Sequence, residues 1–227
     1  MKRVLTALLL VPVVYFLVFF APLAVVRAAL ALVALLCLHE FFLLSRFRGF
    51  EPFVVLGYGA GAVLVVAPQL PQPAFLIVVC VVLLILGLQP ARPVEALFGA
   101  AAATLLGLVY VCGPFALAGM LQAASPHWLF VVLLLAWVGD SAAYFVGRAI
   151  GRHKLAPSIS PGKTWEGTIA SALLTVAVGV GYLLYFEPAP VGAVTAAAFS
   201  LTVNVAGQLG DLAESALKRS AQRCSVP

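Results

Sequence analysis

Charge is scarce in this chain: Asp, Glu, Lys and Arg make up 9% of its 227 residues, where a soluble domain usually carries about 25%. So little polar surface cannot coat a water-soluble globule, which excludes that class and makes a bilayer the solvent. Clustered cysteine is also lacking. Cys37, Cys80, Cys112 and Cys224 are scattered and no pair has metal-ligand spacing, so they read as small hydrophobes. The net charge of +5 comes without any run of five or six basic residues, which removes the usual signature of a nucleic-acid partner. No convincing small-residue cleavage site follows the apolar run after Lys2-Arg3, so that run reads as a first helix and not as a signal peptide. No soluble domain, long linker, low-complexity tail or internal repeat is visible.

What is present is oil: 64% of the residues are hydrophobic. A helix needs roughly 20 apolar residues to cross about 30 Å of hydrocarbon. Apolar runs between polar or Pro/Gly breaks predict eight helices, at about 4–20, 22–44, 53–67, 74–89, 95–120, 127–150, 165–186 and 190–219. The third and fourth are short, and Gly113-Pro114 could break the fifth. The fold expected is all-α and polytopic, one transmembrane domain over 1–227, with N-terminal spans in 1–125 and the polar motifs in 126–227. With the N-terminus inside, every cation except Arg27 falls on one membrane face, the asymmetry expected of cytoplasmic loops. Both termini are therefore expected in the cytoplasm.

Polar residues gather in two places. In "GDSAAYFVGRAIGRHKLAPSISPGKTWEG", residues 139–167, Asp140, Tyr144 and Arg148 recur every four residues and share one helix face. A carboxylate such as Asp140 inside a span is a functional-site hypothesis by default, the structural alternative being a partner such as Arg148. The loop that follows supplies Arg152, His153, Lys154, Ser160 and Lys163. Such cations and hydroxyls suit phosphate oxygens, although an ordinary positive-inside loop would carry the same charges. Ser160-Pro161 reads as an N-cap followed by first-turn proline, with the helix dipole aimed at an anion. Gly162-Lys163-Thr164 is not a phosphate loop, because Pro157 stands where that motif needs glycine and no buried strand precedes it.

The second cluster is a stripe. Asn204, Gln208, Asp211, Ser215 and Lys218 are spaced four, three, four and three along one helix face, with Glu214 beside them. Polar groups on one stripe of an apolar helix should face the bundle interior, as a site or as a polar packing seam. Asp211 and Glu214 offer hard oxygens suited to Mg²⁺, and Lys218 could neutralise phosphate.

Together "GDSAAYFVGRAIGRHKLAPSISPGKTWEG" and "GQLGDLAESALKR" resemble the two cytoplasmic-side motifs of CDP-diacylglycerol synthases, the phosphatidate cytidylyltransferases. The specific part of the resemblance covers roughly residues 137–219. It implies the reaction CTP + phosphatidate → CDP-diacylglycerol + pyrophosphate with Mg²⁺, at the cytoplasmic side of a bacterial inner membrane. It also implies roles: Asp211, Ser215, Lys218 and Lys163 catalytic, and Asp211 and Glu214 on the metal. Arg148, Ser160, Lys163, Arg219, Asp140, Tyr144, Gln208 and Asn204 would bind the substrates. The family signature runs Ser-x-x-Lys-Arg, four residues, Lys-Asp, then His-Gly-Gly and Asp-Arg-x-Asp. Ser215, Lys218 and Arg219 fit, whereas Cys224 and Ser225 stand in place of Lys-Asp, so the sequence reads as a truncated member that is inactive by itself. A homodimer is compatible with the sequence without being specified by it. The rival classes are a transporter or channel for a small anion and a non-catalytic lipid-binding remnant.

Overall fold

The computed structural model describes residues 2–70, 72–87, 94–186 and 192–222. Arg92, Arg223, most of the expected connection "FEPAP" and the Cys224-Ser225 position lie outside the described residues. The helices run α1 (Lys2–Phe20), α2 (Leu23–Phe47), α3 (Val54–Val66), α4 (Gln72–Gly87), α5 (Val94–Leu106), α6 (Gly113–Ala124), α7 (Pro126–Ile150), α8 (Trp165–Phe186) and α9 (Ala193–Gln222). Between α7 and α8 stands a two-stranded hairpin, β1 (Lys154–Ala156) and β2 (Ser160–Thr164). The protein is an all-α polytopic membrane protein, its hairpin being the one sheet among the described residues.

Five helical runs are long and apolar enough to cross a bilayer: Leu23–Phe47, Glu95–Ala124, Pro126–Ile150, Trp165–Phe186 and Ala193–Ser220. Val11–Phe20, Val54–Val66 and Pro73–Gly87 are apolar but shorter. At 13 residues α3 spans only about 20 Å at 1.5 Å per residue. Pro52 before it and Pro68 after it limit its extension. The break expected at Gly113-Pro114 is instead a widened turn. A π-helical segment, Gly107–Cys112, joins α5 to α6, and the Gly113 N–H donates to the Leu108 carbonyl five residues back. Pro114 removes an N–H from the α-helical ladder, and the wider turn accommodates that loss without ending the helix.

The chain divides into two compact units, one made mostly of Met1–Pro126 and the other of His127–Ser220. In the first, Leu38 and Phe42 of α2 pack on Gly57 and Gly61 of α3 and on Leu108 and Cys112 of the π segment. In the second, Val131, Leu135, Leu183 and Ala196 form an apolar core ringed by Trp128, Val178 and Phe199. Small residues bring its helices together. A Cβ on Gly167 of α8 would stand 2.7 Å from the Ala143 carbonyl oxygen of α7, closer than any real contact. Without a hydrophobic drive between spans, such close approach is how membrane helices gain packing energy.

Candidate active site

The second unit builds its polar centre from three elements: the end of α7, the hairpin and the middle of α9. After α7 the chain turns at Gly151 and enters the hairpin, where Lys154 pairs with Thr164 and Ala156 with Ser160. The turn closes when the Ile159 N–H donates to the Ala156 carbonyl at 3.1 Å, and the Trp165 N–H donates to His153 O at 2.9 Å. Backbone polar groups near a membrane must find partners, and the hairpin supplies them locally.

The hairpin overturns the expected N-cap. Ser160 and Pro161 lie in β2, and α8 begins only at Trp165. Proline, with no N–H to donate, suits a short edge strand. The cap is Thr164, whose Oγ1 accepts the Gly167 N–H at 3.2 Å. Glu166, in the first turn, reaches back to the loop. Its Oε1 accepts the backbone N–H groups of Arg152 and His153, each at 3.1 Å, and meets His153 Nδ1 at 2.7 Å. One carboxylate thus fixes both the start of α8 and the entry to the hairpin. A threonine cap with an acid in the first turn is a recognisable helix start, and it is the signal that would have found Glu166.

Lys163, near the end of β2, is the hub. Its Nζ sits 2.6 Å from Asp211 Oδ2, the lysine side chain being 20% exposed and the aspartate 58%. The same Nζ donates to the Gln208 carbonyl at 3.2 Å. Asp140 of α7 lies within electrostatic range of both Asp211 and Lys163. The hairpin and α9 therefore meet in one ion pair, Lys163 with Asp211, and Asp140 of α7 adds a second negative charge to the field around it.

Below this hub runs a buried ladder. Gln208 Nε2 donates to Asn204 Oδ1 at 2.8 Å and to the Thr168 carbonyl at 3.4 Å. Asn204 is buried, and its Nδ2 donates to Ser171 Oγ at 2.7 Å and Thr175 Oγ1 at 3.1 Å. Gly139 of α7 permits the arrangement, because a Cβ there would stand 3.0 Å from Asn204 Nδ2, Ser171 Oγ and Thr175 Oγ1 alike. Asn204 is thus a tie between α8 and α9. Thr168, Ser171 and Thr175 are spaced three and four along α8, a short polar row that could have been read from the sequence, but its partnership with the stripe of α9 is visible only in the fold.

The remaining residues of the two motifs arrange themselves around the hub. Glu214 pairs with Lys218 at 2.6 Å along α9. Arg219 Nη1 donates to the Ser158 carbonyl at 3.0 Å, fastening the hairpin turn to α9. Arg148 donates to Tyr144 Oη at 3.0 Å on the exposed face of α7 and is not the partner of Asp140. Ser160 and Ser215 are half-buried. Among the described residues no group of three or more His, Cys, Asp or Glu is placed to hold a metal ion.

Comparison with known proteins adds a lineage to this geometry. A phosphatidate cytidylyltransferase of Haemophilus influenzae is 39% identical over 99 residues, 41% of this chain and 34% of that protein. One from Bacillus subtilis is 39% identical over 92 residues, 40% of this chain and 34% of the relative. One from Staphylococcus aureus is 34% identical over 119 residues, 52% of this chain and 45% of the relative. The matched segments span about a third to under half the length of these relatives. The profile of the cytidylyltransferase family, by contrast, matches residues 1–222. With that match running from α1 through the hairpin and the whole of α9, the chain belongs to the cytidylyltransferase family.

Proposed function

We propose that the chain, in place of the inactive truncated member expected from its sequence, transfers a cytidylyl group from CTP to phosphatidate, giving CDP-diacylglycerol and pyrophosphate; absence of lipid product from the parent chain would return the reading to that expectation. The observation that carries this reading is the Lys163–Asp211 pair with Asp140 in range, set in a bundle whose family handles cytidylyl groups. A phosphatidate phosphate oxygen forms a bond to the CTP α-phosphorus, and the bond to the β-phosphate bridging oxygen breaks. Its electron pair leaves with pyrophosphate. Such chemistry asks mainly for positioning and charge neutralisation.

The residues have separate parts in it. Lys163, on a hairpin anchored by Glu166 and Arg219, presents its ammonium to triphosphate oxygens; the Gln208 carbonyl holds it in place when Asp211 turns to another cation. Ser215 and Lys218 lie one and two turns beyond Asp211 on the same stripe and take the phosphate being transferred. Arg148 and Ser160 border the polar headgroup.

Magnesium fits this donor set. It uses one or two carboxylates plus substrate phosphates in preference to an all-protein cage; Asp211 would be the first of these, with Glu214 one turn along α9 and the negative charge of Asp140 within electrostatic range. When bound, it supplies charge neutralisation at the triphosphate. Positive charge concentrated in the hairpin and in the last turns of α7 and α9 supports placing this end of the second unit on the cytoplasmic side of the inner membrane, and the cations Lys2, Arg3, Arg46 and Arg48 support the same side for the N-terminus. The test uses purified protein, phosphatidate, Mg²⁺ and CTP labelled at either the α- or the γ-phosphate. Alpha label entering the lipid phase while gamma label leaves as pyrophosphate supports the reading. Label that crosses a vesicle membrane without a lipid product would favour anion transport instead.

A further inference from the structure

The first unit contains a second polar feature that the proposed reaction does not use. Gln122, on the last turn of α6, is buried, and its Nε2 donates to the Val18 carbonyl near the end of α1 at 2.7 Å. Its Oε1 is buried without a partner. Arg27, the fifth residue of α2, has a buried Nε that is likewise unpartnered. Its stem lies along the same face of α6: a Cβ on Gly119, one turn before Gln122, would stand 3.9 Å from Arg27 Cγ. α1 ends, α2 begins and α6 ends at this place, so a buried N–H donor and a buried carbonyl acceptor are both left unsatisfied where these helix ends meet. Buried polar groups are almost always satisfied, and the energetic case for an occupant is strongest where one of them carries a charge.

We propose that Arg27 and Gln122 hold one phospholipid headgroup of the phosphoglycerol type. Arg27 stands about 6 Å along α2 from its start, at the depth of the headgroup and acyl boundary. A guanidinium there finds phosphate oxygens and binds them with strong charge-assisted hydrogen bonds. The Gln122 Oε1 requires a donor, which a headgroup hydroxyl provides. An ammonium headgroup could also donate, but α1 and α6 contain no carboxylate and no described acidic residue pairs with Arg27, so its one phosphate would have to serve two cations, whereas a glycerol headgroup leaves that phosphate to the guanidinium alone. A lone water would satisfy both hydrogen bonds and leave the Arg27 charge uncompensated. The site is therefore selective on two counts, the net negative charge of the headgroup through Arg27 and its hydroxyl through Gln122.

The experiment is native mass spectrometry of the purified full chain after titration with phosphatidylglycerol, phosphatidylmethanol or phosphatidylcholine. Phosphatidylmethanol has the same charge as phosphatidylglycerol and no free headgroup hydroxyl. Expected is one retained phosphatidylglycerol, held several-fold more tightly than phosphatidylmethanol and at least tenfold more tightly than phosphatidylcholine. Arg27→Gln should remove the preference for both anionic lipids, and Gln122→Leu should lower phosphatidylglycerol to the level of phosphatidylmethanol. Equal retention of phosphatidylglycerol and phosphatidylcholine, or wild-type retention by Arg27→Gln, would overturn the proposal. Should Arg27→Gln not fold, Arg27→Lys keeps the charge and removes the Nε–H. It should lose phosphatidylglycerol several-fold, and unchanged binding there would contradict the assignment equally.

Discussion

Replacing Asn204 with leucine removes the central tie of the second unit and keeps a γ-branched side chain of similar shape. Three hydrogen bonds go with it, at 2.7, 3.1 and 2.8 Å to Ser171, Thr175 and Gln208. Inter-helix hydrogen bonds in membrane proteins average about 0.6 kcal/mol each; two of these cross to α8 and the third lies within α9, so the gross loss is roughly 1–2 kcal/mol. Part is recovered, because the Ser171 and Thr175 hydroxyls can turn to the carbonyls one turn earlier on α8. Part is added, because Gly139 leaves no slack around this position. The net cost expected is about 1–2 kcal/mol, which in a chain of this size lowers the melting temperature by about 2–8 °C. The assay is thermal denaturation in detergent of Asn204→Leu, Ser171→Ala and the double variant. A coupling of about 0.5–1 kcal/mol between the two positions is expected of residues in one network. Zero coupling, or a leucine variant as stable as the parent, would refute the view that this seam joins α8 to α9.

Other outcomes are equally definite. Lys163→Gln should weaken use of CTP at least tenfold with little change in melting temperature, whereas Arg46→Ala, a cation at the end of α2, should leave turnover unaltered; equal and mild effects would reduce the hairpin cations to topology signals. Glu166→Gln weakens the charge-assisted acceptance of the Arg152 and His153 N–H groups, so trypsin should cut at Arg152 and Lys154 several-fold faster, and an unchanged cleavage rate would show the carboxylate to be dispensable. A membrane-impermeant maleimide should modify Ser158→Cys, on the exposed hairpin turn, in inverted vesicles and not in intact spheroplasts. The reverse pattern would place the site on the other side.

The helices were legible because hydropathy is local: the run expected at 165–186 is α8 to the residue, Trp165–Phe186. The stripe from Asn204 to Lys218 was also legible, since 3.6-residue periodicity places those groups on one face whatever they touch. Their partners were not. Asp211 meets Lys163 from a hairpin 48 positions earlier, and the row Thr168, Ser171 and Thr175 of α8 has helical spacing of its own but nothing local that pairs it with Asn204 and Gln208. The hairpin escaped notice because "LAPSISPGKT" is rich in turn formers, and two short strands satisfying each other's backbones leave no alternation to read. The π turn before Pro114 reads as a break in the sequence, because proline reports the lost hydrogen bond and not the wider turn that absorbs it.

The most direct measurement is incorporation of α-labelled CTP into lipid by the purified chain and its Asp211→Asn variant, with phosphatidate and a Mg²⁺ titration. The isosteric amide leaves the fold and the Lys163 to Gln208 contact in place and removes a charge from the centre. Transition-state charge stabilisation worth several kcal/mol should go with it, so the account predicts lipid product from the parent chain and at least a hundredfold less from the variant at every Mg²⁺ concentration. Equal product from the two proteins would contradict the placement of the chemistry at Lys163, Asp211 and Asp140.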